Sequence, residues 1–417
     1  MTPQFRSRLR LPYAMRALRH PNYRLLFFGQ MIAQVGYWVQ ATAQGWLVLR
    51  LTDSPLWLGL IAFAQSLPVL LLSLPAGAVA DRVPKRRLIV MTQSVAMLSA
   101  FTVGSLTLSG LVQPWHVLLA ALVVGVAASF ENPARQSFTI ELVGREDLMN
   151  AIALDSMVLN GARIIGPGLA GVMAAVVGEG PGFLLYGVSV LAVIGGLVLM
   201  RLEPFRASAP RSGLAQMREG LSYIRSEPRV RLVLAQMVVH AIFGLAYFPL
   251  LPYFAKNVLG GDARGFGALG SANAAGALLA AVIITVLGER ISRGRLRNVA
   301  LLSYSLLVAG FTLARTFPPA LVLIFAVGWA GVTMLTLSNT MLQIMVPDEL
   351  RGRVMSVYIL IAMGMSQLSG VLLSGLSEFT GNVPLTVGCW MMVGWGLQLL
   401  LYFTSARARP EPSPRLA

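Results

Sequence analysis

The chain has 417 residues, of which 56% are hydrophobic and only 12% are charged, and its mean hydropathy is +0.70. Soluble domains carry about 25% charged residues, so this composition excludes an ordinary soluble protein. The formal net charge of +16 could indicate nucleic acid as a partner, but the distribution of the basic residues favours a membrane surface and no nucleic acid.

Apolar runs long enough to cross a bilayer recur from Leu25 to Phe403. A hydrocarbon layer of about 30 Å needs about 20 apolar residues per helix, and helices satisfy their own backbone hydrogen bonds in lipid. The runs predict an all-α polytopic membrane protein with twelve transmembrane helices. The predicted spans cover about residues 24–49, 55–79, 88–109, 114–133, 149–177, 182–200, 230–253, 266–287, 298–315, 319–345, 354–377 and 383–403.

The basic residues predict the orientation. If the N-terminus is cytoplasmic and each run crosses once, 28 of the 33 Lys and Arg residues fall in cytoplasmic segments. Four fall outside, namely Arg50, Lys256, Arg264 and Arg315, and Arg163 alone lies within a span. This positive-inside bias predicts that both termini are cytoplasmic. Arginine greatly outnumbers lysine, as in GC-rich genomes, so we expect a bacterial cytoplasmic (inner) membrane.

Several classes of site are not expected. The single cysteine, Cys389, lies in the last predicted span, and the three histidines are scattered, so we predict no disulfide, metal site or cofactor. The N-terminus has no short apolar core with a cleavage site, so the first run is expected to remain as a span. The sequence contains no nucleophile–base pair and no metal-ligand cluster that would indicate an enzyme.

A densely charged turn occurs twice. Its first copy, between predicted spans 2 and 3, contains Gly77, Asp81, Arg82, Lys85, Arg86 and Arg87; its second, between spans 8 and 9, contains Glu289, Arg290 and Arg293. This spacing predicts two copies of one unit, a pattern typical of secondary transporters. We divide the chain into an arm (1–22), a first six-helix bundle (23–200), a cytoplasmic amphipathic linker (201–229), a second bundle (230–405) and a tail (406–417).

Polar residues within the first-half spans are the candidate functional residues. Gln30 and Gln34 share one face of span 1 with Trp38 nearby, and they either line a cavity or bond to other helices. Glu131 and Arg135, one helical turn apart at the end of span 4, either form an interfacial ion pair or take part in proton coupling.

Span 5 carries the richest group: Asp155, Asn160, Arg163 and the cluster Gly166, Pro167 and Gly171. An arginine near the bilayer midplane indicates function, although it could also only join helices.

The second half offers a further set of candidates. Gln236, Tyr247, Asn273, Met363 and Gln367 are candidate cavity residues, and His240 could titrate near neutral pH. Ordinary packing is the alternative for the methionine-rich segment, and a structural hydrogen bond is the alternative for His240.

These residues resemble the major facilitator superfamily along the whole chain. The turn Gly77…Asp81-Arg82…Lys85-Arg86-Arg87 is similar to that family's signature between spans 2 and 3, with Pro84 where glycine is usual. Residues 166–171 are similar to the span 5 motif of its antiporters, with Ala170 replacing a glycine. The usual arginine in the middle of span 4 is missing, so the proton-relay role of that motif is not carried over. Three stretches, 18–30, 46–55 and 132–167, resemble the enterobactin-exporter-like and macrolide-efflux-like branch.

The resemblance implies two bundles rocking about a central site, which exports a small molecule, with proton exchange, as a monomer in membrane lipid. The resemblance also places Asp81 against the N-terminal end of span 11, near Arg351, Arg353 and Arg135. It places Glu289 against the N-terminal end of span 5. Both contacts are expected to close the cytoplasmic side. The candidate proton carriers are Asp155, Glu131 and His240. An uptake symporter or facilitator of the same fold is the alternative, and a membrane-embedded enzyme is a remote one.

Overall fold

The computed structural model describes residues 13–202, 222–287 and 292–407, and the described elements are all helical. A short 3-10 helix, Tyr13–Arg19, comes first. The first half continues with α1 Pro21–Thr52, α2 Pro55–Ala80, α3 Lys85–Leu108, α4 Pro114–Val177 and α5 Gly180–Leu199. The second half contains α6 Pro228–Val258, α7 Ala263–Leu287, α8 Arg293–Leu313, α9 Phe317–Met345, α10 Asp348–Thr380 and α11 Val383–Arg407. The predicted linker helix lies mostly outside the described residues.

Local sequence explains where the helices begin and end. Proline stands in the first turn of α1, α2 and α4, where its missing N–H is not needed. Ser54 caps α2 by accepting a hydrogen bond from the Trp57 backbone N–H. Asp53, in the left-handed region with φ 49°, ends α1. A connection of two residues therefore joins α1 to α2.

The connection between predicted spans 4 and 5 is more helical than predicted: Pro114–Val177 is helical on both sides of a break at Gly144. Ala134, Phe138 and Val143 are buried, so this polar segment keeps an apolar face that packs against the protein and favours helix. The helix is broken at Gly144, with φ 70° and ψ 173°, a conformation essentially restricted to glycine. The two predicted crossings are thus two helices that meet at Gly144.

Ten described helices are long and apolar enough to cross a membrane, which establishes a multi-pass membrane protein. The helix α4 counts once among them although it covers two predicted spans, and α1 is not among them. The glutamines of α1 lower its hydropathy. The count of twelve crossings stays a prediction.

Within each half the helices pack against one another, and contact between the halves is made chiefly by α4 with α7 and by α2 with α10. The largest apolar core continues from one half into the other and includes Leu47, Leu58, Leu250 and Phe254. We call the end with the connections at 53–54, 178–179 and 259–262 the outer end, and the end with the turn at 81–84 the inner end, following the predicted orientation.

Irregular turns interrupt two helices of the second half. The helix α6 contains π-helical turns at His240–Gly244 and Phe254–Val258, and α10 contains one at Leu360–Met365. Such turns are frequent at functional sites. The turn in α10 coincides with the predicted flexible methionine segment, although the side chain of Met363 lies outside the described part.

Candidate transport pathway

Small residues bring the two halves into close contact at the outer end. A Cβ atom placed on Gly171 of α4 would lie 2.5 Å from the Ala263 carbonyl oxygen, and one on Gly267 of α7 would lie 2.3 Å from the Pro167 carbonyl oxygen. On α2, a Cβ on Gly59 would lie 2.5 Å from Ser374 Oγ of α10. Only residues without a side chain allow backbones this close. We call the contact of Gly166, Pro167 and Gly171 with α1 and α7 the outer seal.

Polar contacts between the halves lie at the same end. Lys256 Nζ donates to Asp53 Oδ1 at 2.8 Å, and Ser54 Oγ donates to Glu378 Oε2 at 2.8 Å. The hydrogen bond from Lys256, together with a weaker one from Asn257, lowers the pKa of Asp53. The pathway is therefore closed toward the outer end.

At the inner end, the charged turn bonds within its own half. Lys85 Nζ lies 2.6 Å from Glu141 Oε1, and Arg86 donates to the backbone carbonyls of Val198 and Met200. Arg82 and Arg87 are exposed, and Gly77 has open space where a side chain would begin. These contacts fix the turn to its own bundle in this state.

The predicted inner contact of Asp81 with α10 is not formed here. Among the described residues the Asp81 carboxylate has no hydrogen-bond or ion-pair partner, whereas Arg351 pairs with Asp348 and donates to the Gln343 carbonyl. Arg353 follows on the same helix, and Arg293 is exposed at the start of α8. Glu289 and Arg290 lie outside the described residues. Because the outer end is closed, the Asp81 contact stays a prediction for the opposite state.

Arg163 lies at the inner edge of the outer seal. Its Nη2 is 3.5 Å from Asn273 Oδ1 of α7, and its guanidinium carbon is 5.6 Å from the centre of the Trp38 ring. Trp38 can lie this near because residue 166 is a glycine; a Cβ atom there would be only 2.3 Å from Trp38 Cβ. Arg163 thus joins α4 to both α1 and α7, which agrees with the alternative interpretation that it only joins helices. Its positive charge also lies next to the outer seal.

Inward of Arg163 the helix α4 faces open space. A side chain on Gly161 would meet no atom within 4 Å, and Met157 is 71% exposed. The part-exposed Asn160 is hydrogen-bonded to the Ser156 carbonyl of its own helix. Gln34 and Gln367 are also part-exposed. The side chains at these positions are therefore not fully covered by other parts of the protein in this state.

The carboxylate of Glu131 is buried in a polar network. Gln93 Nε2 donates to it at 2.7 Å, and Thr92 Oγ1 lies 3.3 Å away. The expected ion pair with Arg135 is present at 3.7 Å, and Arg135 also donates to Gln30 Oε1 at 3.0 Å. The network therefore links α3 and α4 to the glutamine face of α1.

Asp155 is bonded to α1 by a different route. Tyr23 Oη donates to Asp155 Oδ1 at 2.9 Å and lies 3.1 Å from the Ala151 carbonyl oxygen. Asp155 lies two helical turns inward of Arg163 on the same helix and does not pair with it. The two carboxylates of this half thus have separate partners.

Most second-half candidates are buried in this state. Gln236, His240, Tyr247 and Asn273 are at most 6% exposed. His240 packs against the Tyr304 ring with ring centres 4.6 Å apart, and its Nε2 has no hydrogen-bond partner in the described structure. These residues therefore do not line open space while the outer end is closed.

Sequence reasoning missed Arg297, which is 3% exposed. It donates to Ser338 Oγ at 2.7 Å and to Gln236 Oε1 at 2.6 Å, so Gln236 serves this buried arginine. The missed signal is the helical period: Arg297 shares one face with the buried residues Ala300, Leu301 and Tyr304. The prediction began span 9 one residue too late to include it.

A second missed group fastens the N-terminal arm to α4. The Asp147 carboxylate, 1% exposed, lies 3.1 Å from Arg16, 2.7 Å from Arg19 and 2.8 Å from His20. The Ala17 backbone N–H donates to Asn150 Oδ1 at 2.7 Å. Residues 16–20 are thus docked beside the break at Gly144.

A helical membrane fold with two packed halves, closed at one end and polar at mid-depth, defines a secondary transporter. The sequence matches the family described as transmembrane secretion effector over residues 13–405, so the chain belongs to this family of the major facilitator superfamily. The predicted superfamily is therefore confirmed.

The relatives extend this assignment. The chain is 25% identical over 360 residues to the staphyloferrin A transporter of Staphylococcus aureus, covering 86% of this chain and 88% of that one. It is 27% identical over 376 residues to the multidrug efflux pump Tap of Mycolicibacterium fortuitum, covering 86% and 89%. It is 23% identical over 400 residues to the enterobactin exporter EntS of Citrobacter koseri, covering 95% of each. The predicted exporter branch is confirmed, and export is favoured over uptake.

The fold is also similar to a solved structure of a bacterial homologue of the human lysosomal transporter Spinster. The TM-score is 0.70 at 16% identity, covering 96% of this chain and 99% of that one. At this identity the likeness supports the fold alone, and it agrees with the packing of the two halves.

Proposed function

We propose that this chain exports a small organic molecule, such as a siderophore or a drug, across a bacterial cytoplasmic membrane in exchange for protons. The match to the secretion effector family along nearly the whole chain carries this proposal. The names of the relatives supply the two substrate types. We further propose that the protein acts as a monomer, with both termini cytoplasmic and its basic residues facing anionic lipid.

Transport would proceed by rocking of the bundles 23–200 and 230–405, joined by the linker 201–229. In this state the outer end is closed and Asp81 has no partner among the described residues, which supports a role for Asp81 in the opposite state. We propose that Asp81 then meets the N-terminal end of α10, near Arg351 and Arg353, where the helix dipole favours an anion.

The test replaces Asp81 with Asn and measures distances between spin labels on the inner ends of α2 and α10. The expected result is a larger fraction with the inner end open. Asp81→Glu, which keeps the charge, is the matched control. Equal distance distributions in Asp81→Asn and the unchanged protein would contradict the proposed gate.

Proton exchange needs a group that titrates as the protein changes state. The buried Glu131 fits best, because it is held by Gln93 of α3 and by Arg135, which also donates to Gln30 of α1. Asp155, bonded to Tyr23, is the second candidate. His240 is less suited, because its ring is buried against Tyr304. Proton-dependent transport retained in both Glu131→Gln and Asp155→Asn would exclude these carboxylates.

The central experiment compares efflux from cells with and without the gene, preloaded with siderophores, macrolides and fluorescent cations. Faster efflux of one compound that a protonophore abolishes supports proton-coupled export. Uptake of a solute instead would favour a symporter or facilitator of the same fold. Chemical modification of a compound without movement would favour a membrane enzyme.

A further inference from the structure

Arg163 is the only charged residue in the sequence between Asp155 and Glu179. It stands midway along the predicted crossing 149–177, where lipid and apolar side chains surround a helix. A charge at this depth is costly unless an ion or a ligand offsets it. The ion pairs of the described residues do not include Arg163, so no carboxylate of this part of the chain pairs with it.

Hydrogen-bond donors outnumber acceptors around this arginine. A guanidinium has five N–H donors. Within the described structure its recorded side-chain acceptor is Asn273 Oδ1, at a distance of 3.5 Å that marks the outer limit of a hydrogen bond. The buried Trp38 indole N–H, on the ring beside it, has no acceptor in the same part of the chain. The site is cationic and has more hydrogen-bond donors than acceptors.

Contacts between helices close the outer side of the site. Outward of Arg163, Ser271 Oγ donates to the Ile164 carbonyl at 2.7 Å, and the outer seal follows. Inward of it, the position of Gly161 faces open space. A molecule that enters from the inner end would meet Arg163 where the pathway closes.

We propose that Arg163 recognises an organic anion that presents two adjacent oxygens, as a carboxylate does, with the Trp38 indole N–H as a further donor. This inference rests on the proposed function, because it assigns the substrate of that pathway. An arginine and a carboxylate form two parallel charge-assisted hydrogen bonds, and the Trp38 ring offers an apolar face to an aromatic or aliphatic body.

The test measures binding of three probes of similar size to the purified full chain: 1-naphthoate, 1-naphthalenemethanol and 1-naphthylmethylammonium. We expect naphthoate to bind at least about tenfold more tightly than the other two. Arg163→Gln should weaken naphthoate binding about tenfold or more and leave naphthalenemethanol binding unchanged. Arg163→Lys should fall between, because it keeps the charge and loses the paired geometry. Gly161→Ala is the matched control on the same helix.

Equal binding of the three probes, absent naphthoate binding, or an undiminished naphthoate preference in Arg163→Gln would overturn the inference. If Arg163→Gln fails to fold, Arg163→Lys decides: naphthoate affinity equal to that of the unchanged protein would contradict the paired contact. Reconstituted vesicles separate this outcome from failure of the proposed function. Proton-driven movement of the neutral or cationic probe without naphthoate would overturn only the anion inference, whereas movement of no probe or panel compound would contradict transport itself.

Discussion

Replacing Gly171 with Ala should open the outer end of the transporter. The added methyl group would lie 2.5 Å from the Ala263 carbonyl oxygen and 3.1 Å from the Arg264 Cα atom. Ordinary contacts begin near 3.4 Å, so α4 and α7 would have to separate by nearly 1 Å at this point. In the outer-open state the two helices are apart, and the methyl group meets no such obstacle.

The size of the shift follows from the cost of overpacking. Methyl groups forced into well-packed contacts cost about 1–3 kcal/mol. Because only the outer-closed state bears this cost, the ratio of outer-closed to outer-open molecules should fall by about 5- to 150-fold. Gly161→Ala, ten residues earlier on the same helix, adds the same methyl group to open space and should change nothing.

Spin labels at Leu111 and Leu385, both exposed near the outer end, report the separation of the halves in a Cys389→Ser background. We expect Gly171→Ala to populate longer distances than either Gly161→Ala or the unchanged protein. Gly267→Ala approaches the same contact from α7 and should act alike. If both variants keep the distances of the unchanged protein, the outer seal does not control the state of the transporter.

Three further predictions concern other contacts. The lowered pKa of Asp53 means that its pair with Lys256 stabilises the outer-closed state above the ordinary pKa of 3.8 and loses this effect as external pH falls through the lowered value. Because the pair is largely exposed, a double-mutant cycle should give at most about 1 kcal/mol at neutral pH and nothing in strong acid. Gly144→Ala should cost about 1–3 kcal/mol in thermal unfolding through its φ of 70°, whereas Gly352→Ala, also in open space, should not; equal melting would contradict the strain. Asp147→Asn should speed trypsin cleavage after residues 16 and 19 about tenfold or more in inside-out vesicles, and unchanged cleavage would show that the carboxylate does not hold the arm.

Apolar runs predicted the helix positions well, because crossing lipid imposes a minimum length on every helix. The predicted span at 55–79 corresponds to α2, Pro55–Ala80, and the span at 319–345 to α9, Phe317–Met345. At α4 the same reasoning placed the two helix ends too far from Gly144, because it ends a helix wherever polar residues begin. There, the buried Phe138 and Val143 keep the polar connection helical, and their spacing is a signal that hydropathy alone does not use.

The sequence indicated candidate residues but not what surrounds them. The sequence identified Arg163 and the glycine cluster, since both are unusual within a span. It could not indicate that Tyr247 and Asn273 are buried, because helical spacing gives the face on which a residue lies but not what packs against that face. It also missed Arg297, because a basic residue next to an apolar run is normally assigned to the interface.

The docked arm bears on how the protein is made. Ala17 bonds to Asn150, a residue 133 positions later, so the first turns of the chain have no partner until the second part of α4 has left the ribosome. This contact closes a ring around α1, α2, α3 and the first part of α4 before any of the second half is translated. Residues 16–20 are thereby docked late in the synthesis of the first half, once Asp147 and Asn150 are available.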